Sequence, residues 1–278
     1  MPVAGGAELV RAAAEAGHGV AAFNVITLEH AEAVVAAAEN TGLPVILQIS
    51  ENAVRFHDGR LAGLLGACTA VAGEAAVPVA LHLDHVEDVG LLRAAAGTAV
   101  SSAMFDASTL PYGENVAATR EAAAWARGQG IWLEAELGEI GGKDGAHAPG
   151  VRTDPDEAAS YVADTGVDAL AVAVGSSHAM TSRTARLDHG LIARLRERLP
   201  VPLVLHGSSG VPDGELREAV RSGMVKVNIG TALNLAYSQA VRDHLRAHPE
   251  VVDPRKYLRP AREAMTDCAE RLLRVVAG

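Results

Sequence analysis

Apolar residues come in short runs along this chain, separated by longer stretches whose apolar positions recur at helical spacing. The runs are Val20–Val25, Val45–Ser50, Val79–Asp84, Val100–Asp106, Ile131–Glu136, Ala169–Val174, Leu203–His206 and Val225–Ile229. Amphipathic helices are predicted between them, at Leu28–Asn40, Arg60–Ala75, Glu114–Arg127, Pro155–Thr165 and Asp213–Arg221. Strands alternating with helices predict parallel βαβ units. Eight such units in one chain predict a closed (β/α)8 TIM barrel, an α/β fold, rather than an open sheet. One domain spans residues 1–278, with an extra N-terminal helix at Ala7–Ala16 and an extra C-terminal helix at Pro260–Val276.

Turn residues agree with this division. Gly42-Leu43-Pro44, Val77-Pro78, Pro200-Val201-Pro202 and Gly223 stand just before strands, where proline ends a helix and its missing N–H does least harm. Asp154-Pro155 and Pro212-Asp213 read as helix starts. The longest irregular stretch, Gly138–Thr153, follows the fifth strand and is expected to overhang the barrel mouth.

The polar residues gather where the predicted strands stop. In chain order these ends carry Asn24, Gln48 with Ser50, Asp84-His85, Asp106, Glu134 with Glu136, Ser177-His178, His206 and Asn228. The carboxyl ends of the strands are where this fold builds its active sites. His178 and His206 are one βα repeat apart and His85 lies across the mouth, so three imidazoles can converge on a catalytic type of zinc site with an open position. No short local ligand motif accompanies them, and ordinary polar histidines remain the alternative. His82 is expected to hydrogen-bond inside the barrel.

Asp84 is placed either to move a proton on a metal-bound substrate or to hold a ligand histidine. Asp106 and Glu136 either orient the ligands or form a second metal position. Gly207, Ser208 and Ser209 after the seventh strand, and Asn228, Ile229, Gly230 and Thr231 after the eighth, read as phosphate cradles opening toward a helix N-terminus.

Composition narrows the classes. Of 278 residues 49% are hydrophobic but only 3% aromatic, so the core must be aliphatic, as in parallel sheets covered by helices. A net charge of -10 argues against a nucleic-acid partner. Neither a leader peptide nor a membrane span is read from the chain, so no membrane partner and cytoplasmic residence are expected. Cys68 and Cys268 form no motif and read as buried small hydrophobes.

These segments closely resemble the class II ketose-bisphosphate aldolases, the fructose- and tagatose-bisphosphate group, from about Ala22 to Leu235. The resemblance is carried by Ala22-Phe23-Asn24-Val25, Leu81-His82-Leu83-Asp84-His85, Ser102 through Ser108, Glu134-Ala135-Glu136-Leu137-Gly138 followed by Gly141-Gly142, the segment Asp168–Gly175 leading to His178, Leu203–Gly207 and Lys226-Val227-Asn228-Ile229. It implies zinc on His85, His178 and His206, with a monovalent cation as a further activator. It implies Asp84 as proton donor at the aldehyde oxygen, and zinc as Lewis acid on the ketone of dihydroxyacetone phosphate. The matching loops would hold the ketose phosphate, with Ala179 beside them. Gln48 and Ser50 match positions near the other phosphate, and homodimers or homotetramers are implied.

Departures stand around that site. Ala179 and Ser208 replace glycines of the family pattern, and a Cβ there is expected to crowd the approach to an anion. Asp144 stands where a glutamate exchanges the substrate's α-proton. Two readings therefore accompany the zinc aldolase. One is a Schiff-base aldolase on Lys226, one of only three lysines. The other is a homologue repurposed for a different ketose phosphate, or binding one without turnover.

Overall fold

A computed structural model describes residues 3–137, 152–176 and 182–278. The order along the chain is α1 (Gly6–Ala16), β1 (Val20–Asn24), α2 (Leu28–Thr41), β2 (Val45–Ser50), α3 (Glu51–Phe56), α4 (Leu61–Glu74), β3 (Val79–Val86), α5 (Val89–Ala94), β4 (Ser102–Phe105), α6 (Tyr112–Gly128) and β5 (Trp132–Glu136). It continues through α7 (Pro155–Thr165), β6 (Ala169–Ala171), α8 (His189–Arg198), β7 (Leu203–Leu205), α9 (Asp213–Ser222), β8 (Met224–Ile229), α10 (Thr231–Ala247) and α11 (Pro254–Ala277). The strands form a closed barrel in sequence order, each pair parallel, and β1 pairs with β8 to close it.

Alternation along each strand explains the two layers. Ala21, Phe23 and Val25 point outward into the core shared with the helices, as do Leu81 with Leu83 and Val227 with Ile229. The intervening positions fill the barrel. Near the bottom these are Val20, Ala22, Ile46 and Ala80, covered by Leu9 and Val10 of α1, so the extra N-terminal helix is a plug. Met104, Ala169, Ala171 and Val204 pack on the opposite wall. The polar members of this inner set are discussed with the site.

The predicted helix starts hold. Asp154 caps α7 by accepting from the amides of Asp156 and Glu157, with Pro155 in the first turn, and Pro212 is the cap of α9. The C-terminal helix differs from expectation, beginning at Pro254 rather than Pro260. Asp253 caps it by accepting from Arg255 N–H, and Pro260 sits inside the helix. It packs along α2 and α10 on the outside of the barrel.

Two strands end more than one residue away from the predicted position. β6 stops at Ala171 because the chain beyond it bonds to loops: Ala173 exchanges hydrogen bonds with Thr153, and Asp188 N–H donates to Val174. β3 runs on to Val86 through an irregularity in its register with β4. No helix among the described residues is long and apolar enough to cross a membrane.

Candidate active site

The irregularity in β3 sits at His85, whose φ of 46° lies in the left-handed region. A non-glycine residue there is strained, and bulges of this kind re-aim a side chain. Asp84 and His85 are thereby both turned toward the barrel mouth, where strict alternation would send one of them outward. The loop that follows is held by Glu51, whose carboxylate accepts from the amides of Glu87 and Asp88.

His85 Nε2 and His206 Nδ1 face each other at 2.9 Å. Behind each ring stands a carboxylate. Asp106 Oδ2 accepts from His85 Nδ1 at 2.7 Å, and Glu134 Oε1 accepts from His206 Nε2 at 2.8 Å. Such carboxylate–imidazole pairs fix the tautomer and leave the other nitrogen as a metal ligand. Burial opposes charge on His85, but Asp84, Asp106 and Glu136 outweigh it and hold its pKa up at about 10. A metal arriving there must displace that proton. Burial likewise pushes the Asp106 carboxyl up, and its bonds to His85 and Ser108 overcome this and hold it well below the usual range.

Among the described residues, Asp84, His85 and His206 offer ligand atoms within 4.8 Å of one another, and so do His85, Asp106 and Glu136. Two imidazole nitrogens and a carboxylate oxygen around one point suit zinc. His178, the third expected ligand, lies outside the described residues, as do Ala179 and Asp144.

Asp84 is cradled by amides. Asn24 Nδ2 donates to its Oδ2 at 2.7 Å, and Asn228 Nδ2 donates to its Oδ1 at 3.3 Å. Gln48 donates to Asn24 Oδ1 at 3.0 Å. Asn228 Nδ2 also lies 3.0 Å from His206 Nε2. With the imidazole proton given to Glu134, that contact joins two donors, so Asp84 is the acceptor that counts.

A cavity of about 100 Å³ opens above these groups, lined by Asn24, Asp84, His85, His206, Gly207, Ser208, Ser209, Asn228, Gly230 and Thr231. Most of the residues singled out in the sequence thus line one space. Gln48 is fully buried beneath Asn24, Ser50 caps α3, and Ile229 faces the helices, so none of these three lines the cavity. Ser208 Oγ donates to the Asn228 carbonyl at 2.5 Å, and Ser209 Oγ accepts from Ala232 N–H in the first turn of α10. The two glycine-bearing loops are therefore stitched together. The Ser208 side chain, 2% exposed, is engaged between them rather than free to meet an anion. A Cβ at Gly230 would lie 2.8 Å from Asn24 Oδ1, which explains a glycine at that point.

The sequence marks Glu134 as a strand end without giving it a role, and leaves Lys226 as either a nucleophile or an ordinary barrel lysine. The ammonium of Lys226 is fully buried, bonded to Glu134 Oε2 and Asn228 Oδ1 at 2.8 Å each, and does not line the cavity. An acid and a base at inward-facing positions of different strands were the available signal. His82 bonds to Ser102 inside the barrel as expected, and burial with the Lys226 charge keeps it neutral.

Known proteins resemble this chain along nearly all its length. The family model described as fructose-bisphosphate aldolase class-II matches residues 5–278. A fructose-bisphosphate aldolase of Staphylococcus aureus is 37% identical over 275 residues, covering 96% of this chain and 94% of the relative. The crystal structure of the YdjI aldolase from Escherichia coli K12 superposes with a TM-score of 0.84 at 30% identity, over 99% of this chain and 97% of that one. Fructose-bisphosphate aldolase from Campylobacter jejuni gives 0.80 at 25% identity, over 99% and 95%. With the paired histidines and the amide-held aspartate at the barrel mouth, these matches establish that the chain belongs to the class II fructose-bisphosphate aldolases, a family of carbon–carbon lyases.

Proposed function

We propose that the protein catalyses the reversible aldol cleavage of a phosphorylated ketose of the fructose or tagatose 1,6-bisphosphate type, giving dihydroxyacetone phosphate and an aldehyde. His85, His178 and His206 hold zinc in this reading. The observation that carries it is the facing pair of His85 and His206 nitrogens, each ring backed by a carboxylate, with Asp84 beside them. Zinc, when bound, supplies Lewis-acid polarisation of the substrate carbonyl.

The chain's own residues supply the rest. Asp84 takes the hydroxyl proton of the carbon that leaves as aldehyde, and returns it in the condensation direction. Asn24 and Asn228 hold its carboxylate in place for that transfer. Gly207–Ser209 and the turn at Gly230–Thr231 receive the phosphate, where the N-terminus of α10 favours an anion. Asp144, on the segment after β5, exchanges the α-proton of dihydroxyacetone phosphate. The same family reading carries a homodimer or homotetramer, cytoplasmic residence and activation by a monovalent cation.

The test is retro-aldol cleavage followed in a coupled assay with fructose and tagatose 1,6-bisphosphates. Activity is expected to vanish in EDTA and to return with Zn2+. Full activity in EDTA overturns the metal role. A borohydride-trapped adduct on Lys226 would instead favour a Schiff base.

A further inference from the structure

Lys226 and Glu134 form an ion pair at 2.8 Å in the barrel interior, with both side chains wholly buried. Such a pair is weak evidence of stability, because desolvating two charges offsets their attraction and well-packed apolar groups often serve as well. The barrel makes room for it. Small residues stand among the inner positions around it: Ala169 on β6 lies beside Glu134, and Ala22 on β1 lies beside Asn228. An aliphatic filling was open to this fold and is not used here.

What the ammonium touches suggests a reason. One N–H goes to Glu134 Oε2, whose other oxygen receives the Nε2 proton of His206. Another goes to Asn228 Oδ1, whose amide nitrogen reaches Asp84. An asparagine amide can turn over, exchanging its acceptor for its donors. A cation on Oδ1 selects the one orientation in which the nitrogen faces Asp84.

We propose that Lys226 is a positioning residue, which aligns the metal ligand His206 through Glu134 and the acid–base Asp84 through Asn228. One buried charge then sets both halves of the site. Through Glu134 it keeps the His206 proton on Nε2 and leaves Nδ1 as the ligand atom, and through Asn228 it fixes the carboxylate beside it. The inference rests on the zinc reading above.

Lys226→Met keeps the side chain's length and removes its charge. Zinc affinity, read by competition with a fluorescent chelator, is expected to fall about 10–100-fold. The kcat at saturating zinc is expected to fall too, because Asn228 loses its anchor. Where Lys226→Met does not fold, the double variant K226M/E134Q, free of both buried charges, is measured with the same expectation. Histidine 15N shifts of the zinc-free parent protein should place the His206 proton on Nε2. A proton on Nδ1, or zinc binding within about twofold of the parent in the folded variant, overturns the proposal. An unchanged kcat at saturating zinc overturns its Asn228 half. Should the parent bind no zinc, the zinc reading fails, and the proton position alone decides this one.

Discussion

His85 and His206 come from opposite sides of the barrel and bring two ring nitrogens to 2.9 Å, with the far side of each ring held by an acid. An approach that close between two imidazoles is a hydrogen bond without metal and a pair of ligand directions with it. In the proposed zinc centre these acids would orient the ligand rings, although they do not line the cavity.

Asp106 is the simpler of the two acids to test. Its second oxygen accepts from the hydroxyl and amide of Ser108, so the carboxylate is fixed before it meets His85. For Asp106→Ala we expect zinc affinity to drop about 10–100-fold with the barrel intact. Chelator competition beside circular dichroism reads this, and an unchanged affinity would show that His85 needs no such partner.

Asp84→Asn should separate proton transfer from metal binding. We expect kcat to fall about 100- to 10,000-fold while zinc content by atomic absorption stays at the parent level. Retained turnover would remove Asp84 from the proton step. Lost zinc would instead mark it as a ligand.

Ser208→Gly restores the family residue, so it distinguishes crowding from stitching. Removing the Ser208 hydroxyl deletes its bond to the Asn228 carbonyl, and we expect about 1 kcal/mol less stability in urea unfolding. We expect no gain in kcat/KM on fructose 1,6-bisphosphate, because the side chain is engaged between the loops. A tenfold gain, about 1.4 kcal/mol, would show that its Cβ obstructs the phosphate after all.

Gly230→Ala should act on Asp84 from a distance. The new methyl group would meet Asn24 Oδ1 at 2.8 Å and displace the amide that holds the carboxylate. We expect lower kcat with zinc affinity unchanged. Equal kinetics would mean that Asn24 can yield without loss.

Cys68 provides a test of the core that is independent of catalysis. Burial pushes its thiol up to about 12. The thiolate is the reactive form, so Cys68 should resist iodoacetamide at pH 8 until the protein unfolds. Peptide mass spectrometry on native and urea-treated samples reads this. Rapid native labelling at Cys68 would reveal local opening around α4.

Much of this was legible in the chain because a parallel barrel repeats one pattern. Apolar runs such as Val45–Ser50 mark buried strands on their own, and a polar residue at each end of such a run marks the mouth. The partners across the barrel were not legible. Glu134 and Glu136 share a face in the sequence, and only the stagger of the strands decides which of them meets His206. The left-handed turn at His85 was equally hidden, since histidine carries no sign of positive φ and the strain is imposed by its surroundings. The last helix starts before the expected Pro260, because Asp253 caps it with Pro254 in its first turn and the helix runs on through Pro260.

The packing of α11 has a consequence for how the molecule is made. β1 ends at Asn24 and α11 begins at Pro254, and at about 5–20 residues per second a ribosome takes on the order of 10–50 s to travel between them. Until β8 (Met224–Ile229) is made β1 lacks its partner, and until α11 follows the face of α2 that it covers stays open to solvent. Even the amide of Gly19, just before the first strand, waits for the carbonyl of Val276. The nascent chain thus carries an open sheet edge until β8 emerges and an uncovered apolar helix face until α11 follows, and its vulnerability to aggregation is concentrated in those two periods.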